Sequence, residues 1–216
     1  MNFPVIFYQV KQVLSEPARF FKQLKTETGI KSAFTYLLML GLWNSALGLL
    51  VTLLFNDYSY NLIFRKVLST ITSPGAFLPQ PTTGETIFWG VLGYGLLLGL
   101  SFIKVGILHG WICLFGGKEK YAKTYQLYIY SSTPAFVLGW IPFIGFFTWI
   151  YDMVLLIIGT QKIHKISPLK SVLMYLIPIV LFILFLIATC YSPLVTFSRA
   201  LINRSFSSGN PTVTRR

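Results

Sequence analysis

Apolar residues along this chain gather into long runs separated by short polar or basic stretches. Five runs stand out, at residues 33–55, 86–115, 121–140, 144–160 and 171–191. An apolar helix of about 20 residues crosses a bilayer core of about 30 Å. The pattern therefore predicts an all-α, polytopic membrane protein with five transmembrane helices. The second run, as a straight helix, would be about 45 Å long, so it must tilt, project or break near a glycine.

Ahead of the first run the periodicity changes. Phe3, Ile6, Phe7, Val10, Val13 and Leu14 recur at helical spacing, with Gln9, Lys11 and Gln12 turned away. Ser15-Glu16-Pro17 resets the chain, and a second face follows from Phe20, Phe21 and Leu24, with Arg19, Lys22 and Lys25 opposite. Residues 1–32 are thus expected to form an amphipathic, interfacial segment, lying on headgroups or packing on the protein's own helix ends. Residues 33–192 form the five-span domain, and 193–216 a polar, partly disordered tail. A short interfacial helix is expected within 56–85, and Thr82-Thr83-Gly84-Glu85 has the spacing of a capping box.

Composition narrows the class. Hydrophobic residues make up 54% and charged residues 11% of 216, with a mean hydropathy of +0.66. A soluble domain carries about a quarter charged residues, so soluble and disordered readings are both excluded. The net charge of +12 sits beside the apolar runs rather than on a soluble basic face, so it points to membrane anchoring and not to nucleic acid. No cleavable signal pattern precedes the first span, which is expected to direct its own insertion.

Charge also sets orientation. With the N-terminus in the cytosol, 11 Lys and Arg fall in cytosolic segments (Lys11, Arg19, Lys22, Lys25, Lys31, Lys118, Lys120, Lys123, Lys162, Lys165, Lys170). Six fall on the other side (Arg65, Lys66, Arg199, Arg204, Arg215, Arg216). Positive loops stay inside, so a cytosolic N-terminus and a C-terminus on the opposite side are expected. Cys113 and Cys190 then lie near opposite faces and do not pair.

Three ionisable groups fall within spans: Lys104, His109 and Asp152. Such groups are costly in hydrocarbon and face protein or water. Lys104 and Asp152 share a depth of about 12–17 Å from the cytosolic ends, so they suit either a structural ion pair or, with His109, a relay for protons or ions. Gly95, Gly99, Gly106 and Gly110 line one stripe, which allows close helix packing within the monomer or between copies in a homo-oligomer. Pro134 follows Ser131-Ser132-Thr133, whose hydroxyls can bond the backbone groups that a proline frees. His109 and His164 are the two histidines, and no HExxH, GxSxG or P-loop motif is present. No catalytic residue, cofactor or metal ligand is expected, and the chain reads as non-enzymatic.

Several short motifs converge on one family. They are His109-Gly110 leading into Phe115-Gly116-Gly117-Lys118, the tyrosine-rich 125–130, Ser132-Thr133-Pro134, Trp149, Gly159, His164-Lys165-Ile166-Ser167, Lys170 and Pro178. With Pro17-Ala18-Arg19-Phe20-Phe21 upstream, the chain resembles the Yip domain family, the five-span membrane proteins named for interacting with Ypt/Rab GTPases. The resemblance implies a cytosolic N-terminus, in agreement with the charge count. It also implies a role in membrane organisation, trafficking or partner recruitment. Family-motif positions are Gly116, Gly117, Pro134 and His164. Eukaryotic relatives carry a long polar N-terminal region for trafficking factors; about 32 residues precede the first span here, so Rab binding does not transfer. The compact form is similar to prokaryotic members, which implies a plasma (inner) membrane; a eukaryotic host would imply ER or Golgi membranes. The bilayer is one expected partner, and a protein at cytosolic loops 116–123 and 162–170 another. The alternative reading is a small proton, ion or solute permease built on Lys104, His109 and Asp152.

Overall fold

The computed structural model describes the backbone of residues 3–24, 26–54, 82–141 and 143–208, and side chains over those ranges apart from 3, 146 and 190–208. Every regular element among them is a helix. In chain order these are α1 (Phe3–Ser15), α2 (Pro17–Leu24), α3 (Lys31–Leu54), α4 (Thr83–Leu114), α5 (Tyr121–Ser131), α6 (Thr133–Leu138), α7 (Ile144–His164) and α8 (Pro168–Ser208). The interfacial helix expected around residues 60–71 and the end of the tail, 209–216, lie outside the described residues. Two compact units divide the chain, Met1–Ser171 and Val172–Arg216.

Among the described residues, three helices are long and apolar enough to cross a membrane: Lys31–Leu54, Thr83–Leu114 and Pro168–Thr189. The expected third span is divided. Its backbone leaves the helix at Ser132 and re-enters at Thr133, giving α5 and the six-residue α6. Pro134 is the physical cause, since it offers no N–H and crowds the preceding turn. Ser132 Oγ donates to the Tyr128 carbonyl at 3.0 Å, and Thr133 Oγ1 to the Tyr130 carbonyl at 2.6 Å. The carbonyls at the break therefore keep partners without water.

In the first unit α5 is central, touching α3, α4 and α7, while α2 packs along α7 and α1 along α2 and α6. Aromatic rings knit these elements together. Phe20 of α2 meets Tyr130 of α5 edge-on at 5.0 Å, and Tyr130 meets Tyr36 of α3 at 4.8 Å. Tyr36 bonds Thr133 Oγ1 at 2.9 Å. Because the Thr133 proton already goes to Tyr130, Tyr36 is the donor. Tyr94, Tyr121 and Tyr151 likewise donate to the carbonyls of Leu38, Phe102 and Leu14, each on another helix.

Small residues set the closest approaches. A Cβ added at Gly159 of α7 would strike Leu127 Cδ1 of α5 and lie 3.2 Å from the Phe21 ring of α2. Three helices therefore meet at that backbone. At the start of α4, Thr82 and Glu85 form the capping box, with Glu85 Oε2 accepting from the Thr82 N–H at 2.8 Å. That bond and the Thr82 hydroxyl hold the Glu85 carboxyl below the usual carboxylate range.

The amphipathic entry resolves into two helices with different faces. Phe20, Phe21 and Leu24 are buried, so α2 spends its apolar face on protein. In α1, Ile6 and Val13 are buried while Val5, Phe7 and Tyr8 stay outside. Lys123 of α5 holds the turn after α2, its ammonium donating to the carbonyls of Leu24 (2.7 Å) and Glu27 and to Gln126 Oε1 (3.1 Å). Gln126 Nε2 completes that hold by donating to the Gly29 carbonyl at 2.7 Å.

The second unit continues α8 as far as Ser208, past the span end expected at residue 191, so residues 193–208 of the expected tail are helical. It carries exposed apolar side chains on every side, among them Leu181, Phe182, Leu184 and Phe185. An all-round apolar helix is a membrane-type composition.

Candidate functional site

Polar side chains converge where α4, α5 and α7 come together. Thr124, on the first turn of α5, lies between the two histidines of the chain. His109 Nδ1 of α4 is 2.8 Å from Thr124 Oγ1, and His164 Nε2 at the end of α7 is 3.3 Å from the same oxygen. His109 Nε2 in turn meets Cys113 Sγ at 3.7 Å, one turn along α4. The Tyr121 ring stands edge-on to His109 at 5.8 Å.

The two imidazoles have unlike surroundings. His109 is half-buried, whereas His164 is 4% exposed and its Nδ1 has no hydrogen-bond partner. Burial pushes the His164 imidazole down to about 4; the Glu119 charge pulls it upward, and His109 adds to the lowering. At pH 7 His164 is therefore neutral. Over its Nδ1 lies the turn from α4 to α5, where Gly116 has φ +95° and a Cβ on Gly117 would come within 3.1 Å of that nitrogen. Any larger residue at 117 would also strike Ile112 Cγ2.

The intramembrane charges lie apart. Lys104 is exposed on α4, and Asp152 is half-buried on α7. No ion pair joins Lys104 to Asp152 among the described residues. Asp152 Oδ1 instead accepts from the Ala135 backbone N–H at 3.4 Å, just beyond the break at Pro134. His109 belongs with Thr124, not with these two. No group of three His, Cys, Asp or Glu suited to a metal occurs among the described residues.

The family model described as the Yip1 domain matches residues 11–189. The chain belongs to the Yip1 domain family. No curated protein and no solved structure matches it. As a Yip1 membrane protein with several long apolar helices, it sits in the bilayer as a multi-pass protein.

Within this Yip1 domain, two of the motif positions read from the sequence are neighbours. Gly117 and His164 lie 47 residues apart in the chain and pack directly on each other. Pro134 sits at the α5–α6 break. The stripe of Gly95, Gly99, Gly106 and Gly110 has open space over every position, since an added Cβ would meet nothing within 4 Å. Close approach to α4 comes through other glycines: Gly41 of α3 would meet Leu97 at 3.3 Å, and Gly90 of α4 would meet Leu49 at 3.2 Å. Sequence reasoning missed Thr124. A lone threonine carries no signal in one sequence, although its place four residues after Lys120 at the opening of α5 puts it on the face buried towards α4 and α7.

Proposed function

We propose that this Yip1-domain chain is a non-enzymatic, five-span membrane protein with a cytosolic N-terminus and its C-terminus across the membrane. On this reading it organises membrane or recruits partners through two cytosolic loops, 116–123 and 162–170. One observation carries the reading: His164 meets Thr124 and Gly117, so those two loops, far apart in sequence, come together. Lys118, Lys120, Lys162, Lys165 and Lys170 supply their charge, which suits an acidic protein segment or anionic headgroups. The exposed Val5, Phe7 and Tyr8 of α1, beside Lys11 and Arg19, suit the interfacial layer of the same leaflet. Photo-crosslinkers placed at Lys118 and Lys165 in native membranes should capture the same protein or lipid. Capture of nothing from either position, with the protein folded, removes the recruitment reading.

A permease reading draws on Asp152, a half-buried carboxylate beside broken helical backbone. It predicts proton or cation flux in proteoliposomes that Asp152→Asn abolishes. Equal flux in the two proteins removes it.

A further inference from the structure

The chain His109–Thr124–His164 has a proton-counting property. A threonine hydroxyl holds one proton and two lone pairs, so it can donate to one ring nitrogen while accepting from the other. Two neutral imidazoles satisfy this with one N–H pointing in and one bare nitrogen receiving. The buried, unpartnered Nδ1 of His164 selects between the two arrangements. An orphaned buried N–H is rarer and costlier than an under-used acceptor, so Nδ1 is the bare nitrogen. His164 then donates from Nε2 to Thr124, Thr124 donates to His109 Nδ1, and the remaining His109 N–H points at Cys113.

A further proton has no place in this arrangement. On His164 it must go to Nδ1, which is buried beside Gly117 with no hydrogen-bond partner. That places a charge among desolvated groups, which costs heavily unless it reaches water or a counter-ion.

We propose that His109–Thr124–His164 is a proton-operated clasp: with His164 neutral it ties α4, α5 and the end of α7 beneath the 116–119 turn, and a second proton on the His164 ring releases that turn. The surroundings fit this action. Glu119, in the turn itself, already favours a charged His164, and burial outweighs it, so the charged ring gains by reaching water when the turn lifts. Cys113 and Tyr121 face His109, and Lys162 and Lys165 flank His164 on either side in sequence. Towards α2 and α5 the end of α7 presents apolar contacts, with Gly159 against Phe21 and Leu127, so no counter-ion comes from those contacts. Asp152 lies 12 residues back along α7, about 18 Å away. The His164 preference for its neutral form, noted above, makes the clasped state the one present at neutral pH. The proposal stands apart from the recruitment reading, because its readout is the motion of the turn.

Hydrogen exchange of the full chain in nanodiscs between pH 7.5 and 4.5, corrected for intrinsic exchange, tests it. The opening constant of peptides covering 112–124 and 160–167 should be flat above pH 7. It should rise up to about tenfold per pH unit between 6 and 4.5, the linkage of one proton. Thr124→Val, which keeps shape and removes the hydroxyl, should raise opening at pH 7.5, and His164→Gln should abolish the pH slope. A wild-type profile without a slope overturns the clasp, as does a rise spread evenly over α3 and α5. If His164→Gln fails to assemble, the wild-type slope and the Thr124→Val result decide alone.

Discussion

At the residue scale, hydroxyl groups carry much of the specificity of this Yip1 domain. Tyr36 is fully buried and donates to Thr133, which in turn repairs the carbonyl that Pro134 leaves without a donor. Tyr36→Phe removes one donor but leaves Thr133 with the Tyr130 carbonyl as partner. It should cost about 1 kcal/mol in detergent-based unfolding. Thr133→Ala strips partners from Tyr36 and from the Tyr130 carbonyl, and should cost about 2–3 kcal/mol. Equal losses in the two variants would contradict this order of dependence. His164 gives a pH dependence of definite sign. Its folded value, about 4, lies below the ordinary value of 6.5, so the unfolded chain takes up the proton first. Stability is then complete above pH 6.5 and declines as pH falls towards 4, by about 2–3 kcal/mol in all. His164→Gln should flatten that part of the curve, measured as the midpoint of denaturant unfolding across pH 7 to 4.

At the element scale, helix contacts depend on a few backbone approaches. Gly159→Ala pushes a methyl into Leu127 and the Phe21 ring, and should destabilise the α2–α5–α7 junction by about 1–3 kcal/mol. Gly99→Ala, over open space, should be neutral within about 0.5 kcal/mol or stabilise the helix slightly. A matched pair of melting curves checks both. The sequence made much of this scale legible. The apolar run at 33–55 became α3, and the Thr82–Glu85 spacing became the observed capping box. Pro17 opened α2 as a first-turn proline. Periodicity reports such features because they lie within one element. It says nothing of partners, which is why Thr124 escaped notice and why Lys104 and Asp152 could share a depth without meeting. It also left open what α2 packs on, because an apolar face reads alike against lipid and against α7.

On the scale of the whole molecule, the first unit is organised around α5, and the long apolar helices provide its membrane seat. The proposed five-span topology makes a direct prediction. Reporter fusions at the N-terminus and after residue 120 should both read cytosolic, and a fusion after residue 208 should read the opposite side. Both termini in one compartment would remove that topology together with the assignment of the loops.

The docking of α2 on α7 bears on how the protein can be handled. Residues that precede the first membrane helix, and that look dispensable as a leader or a tail, fill the space over Gly159 with Phe21 and anchor to Lys123 through the Leu24 carbonyl. Trimming the chain to its apolar runs would open a hole in the interior, and a fusion partner joined at residue 25 would displace a wall of the fold.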